Sequence, residues 1–303
     1  MGLFGSYDNA GPGINPNAPK KKPFARYWEL IWRNLGKLLY LNIIFTGFLI
    51  PLMLAMIFYA TTRNPLTNAM CIFLLIVQAV ILGPAMAGCT RVLRLIVLDK
   101  PFFLWDEFKK GFSRNFGASL LFFLIDAVVA AVITLNCIYV PQLVANDHSK
   151  LLYVCMVVSM TIGLVLLFMN YYLLPMQVAT GLNKKSVFKN SFQLAFVSPK
   201  QCFLTFLINA LALGLCILIV LLFPPIIFLL AFFPAAFIGF TTLFINYPVI
   251  QKYVINPYYE QTGEPNPEAE EVIPEEARVF TDRGGTETPI KKEKSKSRKH
   301  TIS

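Results

Sequence analysis

The amino-acid sequence predicts an all-α membrane protein: a six-helix transmembrane bundle with amphipathic cytoplasmic surface helices. Two observations carry this. The 303 residues are 56% hydrophobic and 15% charged, with a mean hydropathy of +0.58, a balance that leaves too little polar surface for a soluble domain. The 27 Lys and Arg residues are also placed unevenly. Across the seven intervals set off by six apolar stretches they fall as 6, 1, 6, 1, 4, 0 and 9. Short basic loops are retained inside during insertion, so this alternation fixes six crossings with both termini cytoplasmic.

The elements follow in chain order. Residues 1–23 are rich in Gly, Pro and Asn and close on Lys20, Lys21 and Lys22, which predicts a cytoplasmic arm. From Phe24 onward, Arg26, Glu29, Arg33 and Lys37 recur at helical spacing, while Trp28, Ile31, Trp32 and Leu35 share another face. That pattern predicts an amphipathic helix lying in the membrane interface. Spans are expected at 38–60, 66–87, 117–140, 151–174, 202–222 and 226–247, each long enough for a hydrocarbon layer of ~30 Å. Helix breaks are expected at residues 47–51 and at Pro234. No stretch alternates with the period of two that a membrane barrel needs, and the first span is too long for a cleaved signal peptide. The membrane domain thus covers 24–255. Residues 256–303, acidic and then basic, predict a disordered charged cytoplasmic tail.

Two long inner loops share a pattern. Phe108, Phe112 and Phe116 in the first, preceded by Trp105, match Phe188, Phe192 and Phe196 in the second, with Lys109 and Lys189 at the same register. Aromatic residues four apart line one face of a helix. Each loop therefore carries a surface helix, and these seven aromatic residues form a candidate docking face on the cytoplasmic side. The same pattern is what any aromatic-faced helix at a membrane surface needs, so an internal repeat and simple interfacial anchoring both fit.

Chemistry-bearing residues are few. Asp126 is the one acid inside an expected span and falls near the bilayer centre, where an ionisable group is costly and faces the bundle interior or a wet cavity. With Asn42, Gln78 and Asn209 it forms a candidate intramembrane polar site, serving either transport or hydrogen bonds between helices. Thr46, Asn136, Asn170 and Asn246 are further polar residues within the spans. The two histidines, His148 and His300, lie in a loop and in the tail. They supply neither a metal centre nor a His-based triad, and no phosphate-cradling Gly-rich loop is present. No cofactor, catalytic residue or nucleic-acid module is expected, and the reading is non-enzymatic. The six cysteines have packing roles, with a Cys137–Cys155 disulfide as one open alternative.

The string Met1-Gly2-Leu3-Phe4-Gly5, through Gly11-Pro12-Gly13 to Lys20-Lys21-Lys22-Pro23-Phe24, is similar to the start of the YesL-like family of Gram-positive bacterial membrane proteins. Gly83-Pro84-Ala85 to Arg91, with Trp105, Phe108, Lys109, Phe112, Asn115 and Phe116, resembles that family's central loop. The likeness covers the N-terminus and all six spans and implies the bacterial cell membrane. The family has no known catalytic residues, and its gene neighbourhoods imply a link to carbohydrate importers of the ATP-binding-cassette type and to sensor regulators. Two readings stand at this stage: an accessory or regulatory partner of a carbohydrate uptake system, or a small transporter or channel using Asp126.

Overall fold

The computed structural model describes residues 22–61, 64–145, 150–223 and 234–268, and every regular element among them is helical. In chain order these are α1 (Pro23–Arg33), α2 (Leu35–Phe48), α3 (Ile50–Thr61), α4 (Pro65–Val97), α5 (Leu104–Arg114), α6 (Phe116–Ala145), α7 (Leu152–Ala179), α8 (Lys184–Val197), α9 (Pro199–Leu222) and α10 (Pro234–Ile250). A π-helical turn (Gln251–Ile255) and α11 (Asn256–Thr262) complete the set. Residues 1–21 of the expected arm, residues 224–233 and the tail beyond Glu268 lie outside the described residues.

Four helices, α4, α6, α7 and α9, are long and apolar enough to cross a membrane; a fifth crossing results if α2 and α3 together make one. Their apolar stretches present most side chains outward, a surface that only lipid tails solvate well. The architecture is that of a multi-pass membrane protein. α2 and α3 meet at Leu49 with a bend of 48°. Pro51 has no N–H to offer the carbonyl of Gly47, so the ladder is interrupted where the sequence predicted a break. α10 has 17 residues; residues 226–233 of the expected sixth span lie outside the described residues.

Helix ends depart from expectation in one instructive direction. α4 begins at a capping box in which the Asn64 side chain accepts from Thr67 N at 2.8 Å and Thr67 Oγ1 accepts from Asn64 N at 3.1 Å. Pro65 at the first helical position costs nothing there, since that N–H would be unbonded anyway. The helix then continues through Pro84 for a further ten residues past the expected end at 87, to Val97. Arg91 and Arg94, read from sequence as loop residues, are therefore held on a rigid helix. The chain leaves it through Asp99, whose φ of 57° is a left-handed conformation that Asp tolerates.

α5 packs on this extension at unusually close range. A Cβ on Gly88 would stand 2.8 Å from the Phe108 ring, and one on Gly111 would stand 2.9 Å from both Arg91 Cβ and Gly88 Cα. Only glycines allow the two helices this approach. Phe48 closes the contact from α2, its ring 5.6 Å from those of Phe108 and Phe112. Glu107 bonds Arg91 at 2.7 Å and Lys110 at 2.6 Å. Its burial would raise the carboxyl, but the bonds from Lys110 and Arg91 outweigh that and hold it below the usual carboxylate range.

α1 is helical as expected. Leu30 and Ile31 are buried, Trp28 and Trp32 are exposed, and Tyr27 reaches α10 through a 2.8 Å bond to Thr241 Oγ1 and rings 5.5 and 5.3 Å from Phe240 and Phe244. Arg33 pairs with Asp99, and Lys37 Nζ sits 4.4 Å from the Phe102 ring centroid. Residues of separate basic intervals are thus gathered at one end of the bundle. One expectation is corrected, and one open alternative is not realised. The tail does not begin at 256, because residues 256–262 are helical and Glu268 is packed inside. Cys137 and Cys155 are both free and exposed.

Candidate functional site

The two aromatic helices have parted ways. In α5 the aromatic row is the packing face: Phe108 is buried and Phe112 is half-buried, as is Phe116 at the start of α6, with only Trp105 exposed. Trp105 stacks on Phe108 at 5.8 Å. In α8 the buried positions are Val187, Ser191, Leu194 and Ala195, one residue off the aromatic row. One residue is about 100° of rotation on a helix. Phe188 is consequently half-buried, while Phe192 and Phe196 face outward, 46% and 61% exposed, with their rings 4.9 Å apart. The structure therefore splits the expected docking face: Phe108 is core, Phe112, Phe116 and Phe188 are half-buried, and Trp105, Phe192 and Phe196 are surface.

That surface borders a cavity of about 1060 Å³. One wall is α8, with Asn190, Phe192, Gln193 and Phe196. The other is the π-turn and α11, with Tyr253, Tyr258, Tyr259 and Gln261. π-Helical turns are uncommon and occur often at functional sites; here the turn sets Tyr253 in the cavity wall and Gln251 against Glu268. At its base lie Arg94 and Glu268.

This base is a tight polar cluster. Arg94 pairs through Nη2 with Glu268 and donates through Nε to Tyr247 Oη at 2.6 Å. The Tyr247 hydroxyl lies 2.7 and 2.9 Å from the two Glu268 carboxylate oxygens, and Gln251 Nε2 donates to Oε2 at 3.2 Å. Side-chain exposure is 13% for Arg94 and 6% for Glu268, so the pair is largely withdrawn from water. Such a pair persists only with its hydrogen bonds complete. Glu268 arrives by a built turn: Gly263 closes α11 with a φ of 70°, and Asn266 Oδ1 accepts from Glu268 N at 2.9 Å while its amide donates to Asn256 at 3.1 Å. Lys100 donates to the carbonyl of Pro267.

The expected intramembrane polar residues do not converge on one another. Asp126 accepts from Asn170 Nδ2 at 2.9 Å, joining α6 to α7, and Asn136 donates to Ser159 at 3.0 Å across the same pair. Asn42 Oδ1 accepts from Ala236 N at 2.9 Å, tying α2 to the start of α10. Gln78 Oε1 accepts from Leu52 N at 3.2 Å beside the α2–α3 break, and Asn209 donates to Thr242 at 2.9 Å, between α9 and α10. Gln78 Nε2 and Asn209 Oδ1 are buried without a hydrogen-bond partner among the described residues. Asp126, Asn42, Gln78 and Asn209 thus serve four different helix pairs.

A second buried cluster joins α7, α9 and α10 through Tyr172, whose hydroxyl lies 2.6 Å from Ser198 Oγ and donates to Asn246 Oδ1 at 3.1 Å; Asn246 in turn donates to Thr205 at 2.8 Å. Sequence reasoning missed Arg94, Tyr172, Tyr247 and Glu268. The one signal for the first was an Arg91–Arg94 pair three residues apart directly after an apolar helix, a continuation of the helical period. No group of three metal-ligating side chains occurs among the described residues. No protein-family model, curated protein or solved structure matches this chain.

Proposed function

We propose that the chain is a six-span protein of the bacterial cell membrane with both termini cytoplasmic, acting as a non-enzymatic accessory or regulatory partner of a carbohydrate uptake system. One observation carries the docking part of this reading: of two helices with the same aromatic row, α8 leaves Phe192 and Phe196 exposed beside a large cavity. Exposed aromatic pairs with a desolvated rim are the usual anchors of protein interfaces. The basic intervals meeting at that end of the bundle support a cytoplasmic location for it. The sugar-uptake part rests on the resemblance to the YesL-like family.

The test is gentle purification of the tagged full-length protein alongside Phe192→Ala/Phe196→Ala, with quantitative identification of partners. A permease subunit of an ATP-binding-cassette sugar importer, or a sensor kinase, is expected in stoichiometric amount with the wild type and reduced about tenfold with the variant. Equal recovery from both, or no such partner with either, rejects the reading.

A further inference from the structure

We infer that the Arg94–Tyr247–Gln251 cluster is a receptor for the anionic group of a small ring-bearing organic phosphate or carboxylate, and that Glu268 is a self-ligand occupying it. The inference goes beyond the proposed docking role and stands without it.

Three side chains from two separated stretches of chain converge on one carboxylate. Arg94 pairs with it from the end of α4, Tyr247 meets both its oxygens, and Gln251 donates to the second. A guanidinium flanked by neutral donors is the usual cradle for a carboxylate or phosphate. A second cation is satisfied by the adjacent residue, since Lys100 donates to the Pro267 carbonyl. Neighbouring residues are about 3.8 Å apart at Cα, so lifting the two-residue segment frees two positive charges in one place. A purely structural tie would need neither the second cation nor the space beside it.

The space is the cavity of about 1060 Å³, which has Arg94 and Glu268 at its base. Its lining also holds the partly exposed side chains of Phe192, Tyr253 and Tyr258 and the amides of Asn190, Gln193 and Gln261. Aromatic planes interleaved with a few convergent polar groups are the composition of a small-molecule site. Rings with hydroxyl edges, as in hexose phosphates and hexuronates, match it: the planes accept the ring face and the amides the hydroxyls. Glu268 is held by a short turn anchored through Asn266, an arrangement that exchanges one carboxylate for another without unfolding a helix.

The experiment uses the full-length protein in phosphatidylcholine nanodiscs, titrated with glucose-6-phosphate, glucuronate, glucose and inorganic phosphate. Glu268→Ala is expected to bind glucose-6-phosphate, glucuronate or both about tenfold more tightly than the wild type, with glucose and inorganic phosphate much weaker. Which of the two binds identifies the anionic group. Adding Arg94→Gln to Glu268→Ala is expected to abolish the gain. Asn266→Ala, which loosens the turn and keeps every charge, is expected to raise affinity in the same direction and serves if Glu268→Ala does not fold. The inference is overturned if neither variant outbinds the wild type, if the gain survives loss of Arg94, or if inorganic phosphate alone binds as tightly as the organic anions. A failure of partner recovery with the α8 variant leaves these outcomes unaffected.

Discussion

At the scale of single residues, the buried acid is the sharpest case. Asp126 is hydrogen bonded to Asn170, and its role as a helix tie makes a definite forecast. Asp126→Asn keeps the shape and a bond to Asn170, so solute flux in reconstituted vesicles is expected to be unchanged; a large loss of flux would favour the transport reading. Asn170→Ala is expected to cost about 0.6 kcal/mol, the average for such bonds in membranes. Gly88 makes a larger demand. Gly88→Ala drives a methyl into the Phe108 ring and backbone, an overpacking expected to lower stability by about 1–3 kcal/mol in a denaturant titration. Sequence alone exposed Asp126 as unusual because charge inside an apolar run is visible by inspection. Gly88 gave no such signal, since its meaning lies in a helix sixteen or more residues further along the chain.

At the scale of elements, α5 and α8 show where sequence patterns stop being sufficient. Their existence as aromatic-faced helices was legible from the spacing of Phe108, Phe112 and Phe116 and of Phe188, Phe192 and Phe196. Which way each faces was not, because a rotation of one residue depends on what the neighbouring helix offers. α4 offers Gly88 to α5, whereas α8 buries Val187, Ser191, Leu194 and Ala195 instead. Truncation separates the two: Phe108→Ala is expected to cost about 3–5 kcal/mol, while Phe192→Ala stays within about 0.5 kcal/mol as a surface change. Equal losses would mean that both rows are core. The α4–α5 contact also carries a pH dependence. The Glu107 carboxyl titrates lower in the folded protein than in the unfolded chain, so its stabilising contribution is present above the ordinary carboxylate pKa of about 4.3 and is lost as pH falls through the depressed folded value. Melting temperature is expected to drop on acidification below about pH 4, and Glu107→Gln is expected to flatten that drop.

At the scale of the whole molecule, the charge pattern and the helices agree on a membrane architecture, and the helix lengths refine it. Four long apolar helices and a bent pair were legible as spans because apolar length is a direct reading of bilayer thickness. The ends were not: α4 runs ten residues further than its apolar stretch, since arginines continue a helix as readily as leucines. The proposed orientation has a direct check. Lys150→Cys is expected to react with a membrane-impermeant thiol reagent in intact cells, and Lys189→Cys only after permeabilisation, each against the wild-type background. The opposite pattern would invert the topology.

The junction of α8 and α9 has a mechanical meaning beyond its packing. One residue, Ser198, separates the two helices. Its hydroxyl lies 2.6 Å from that of Tyr172 on α7, so the joint is pinned as well as short. A connection with no slack transmits torque instead of absorbing it. The outward rings of α8 thus have a short, hydrogen-bonded route through this pivot to the foot of α9 and, by way of Tyr172 and Asn246, to α10.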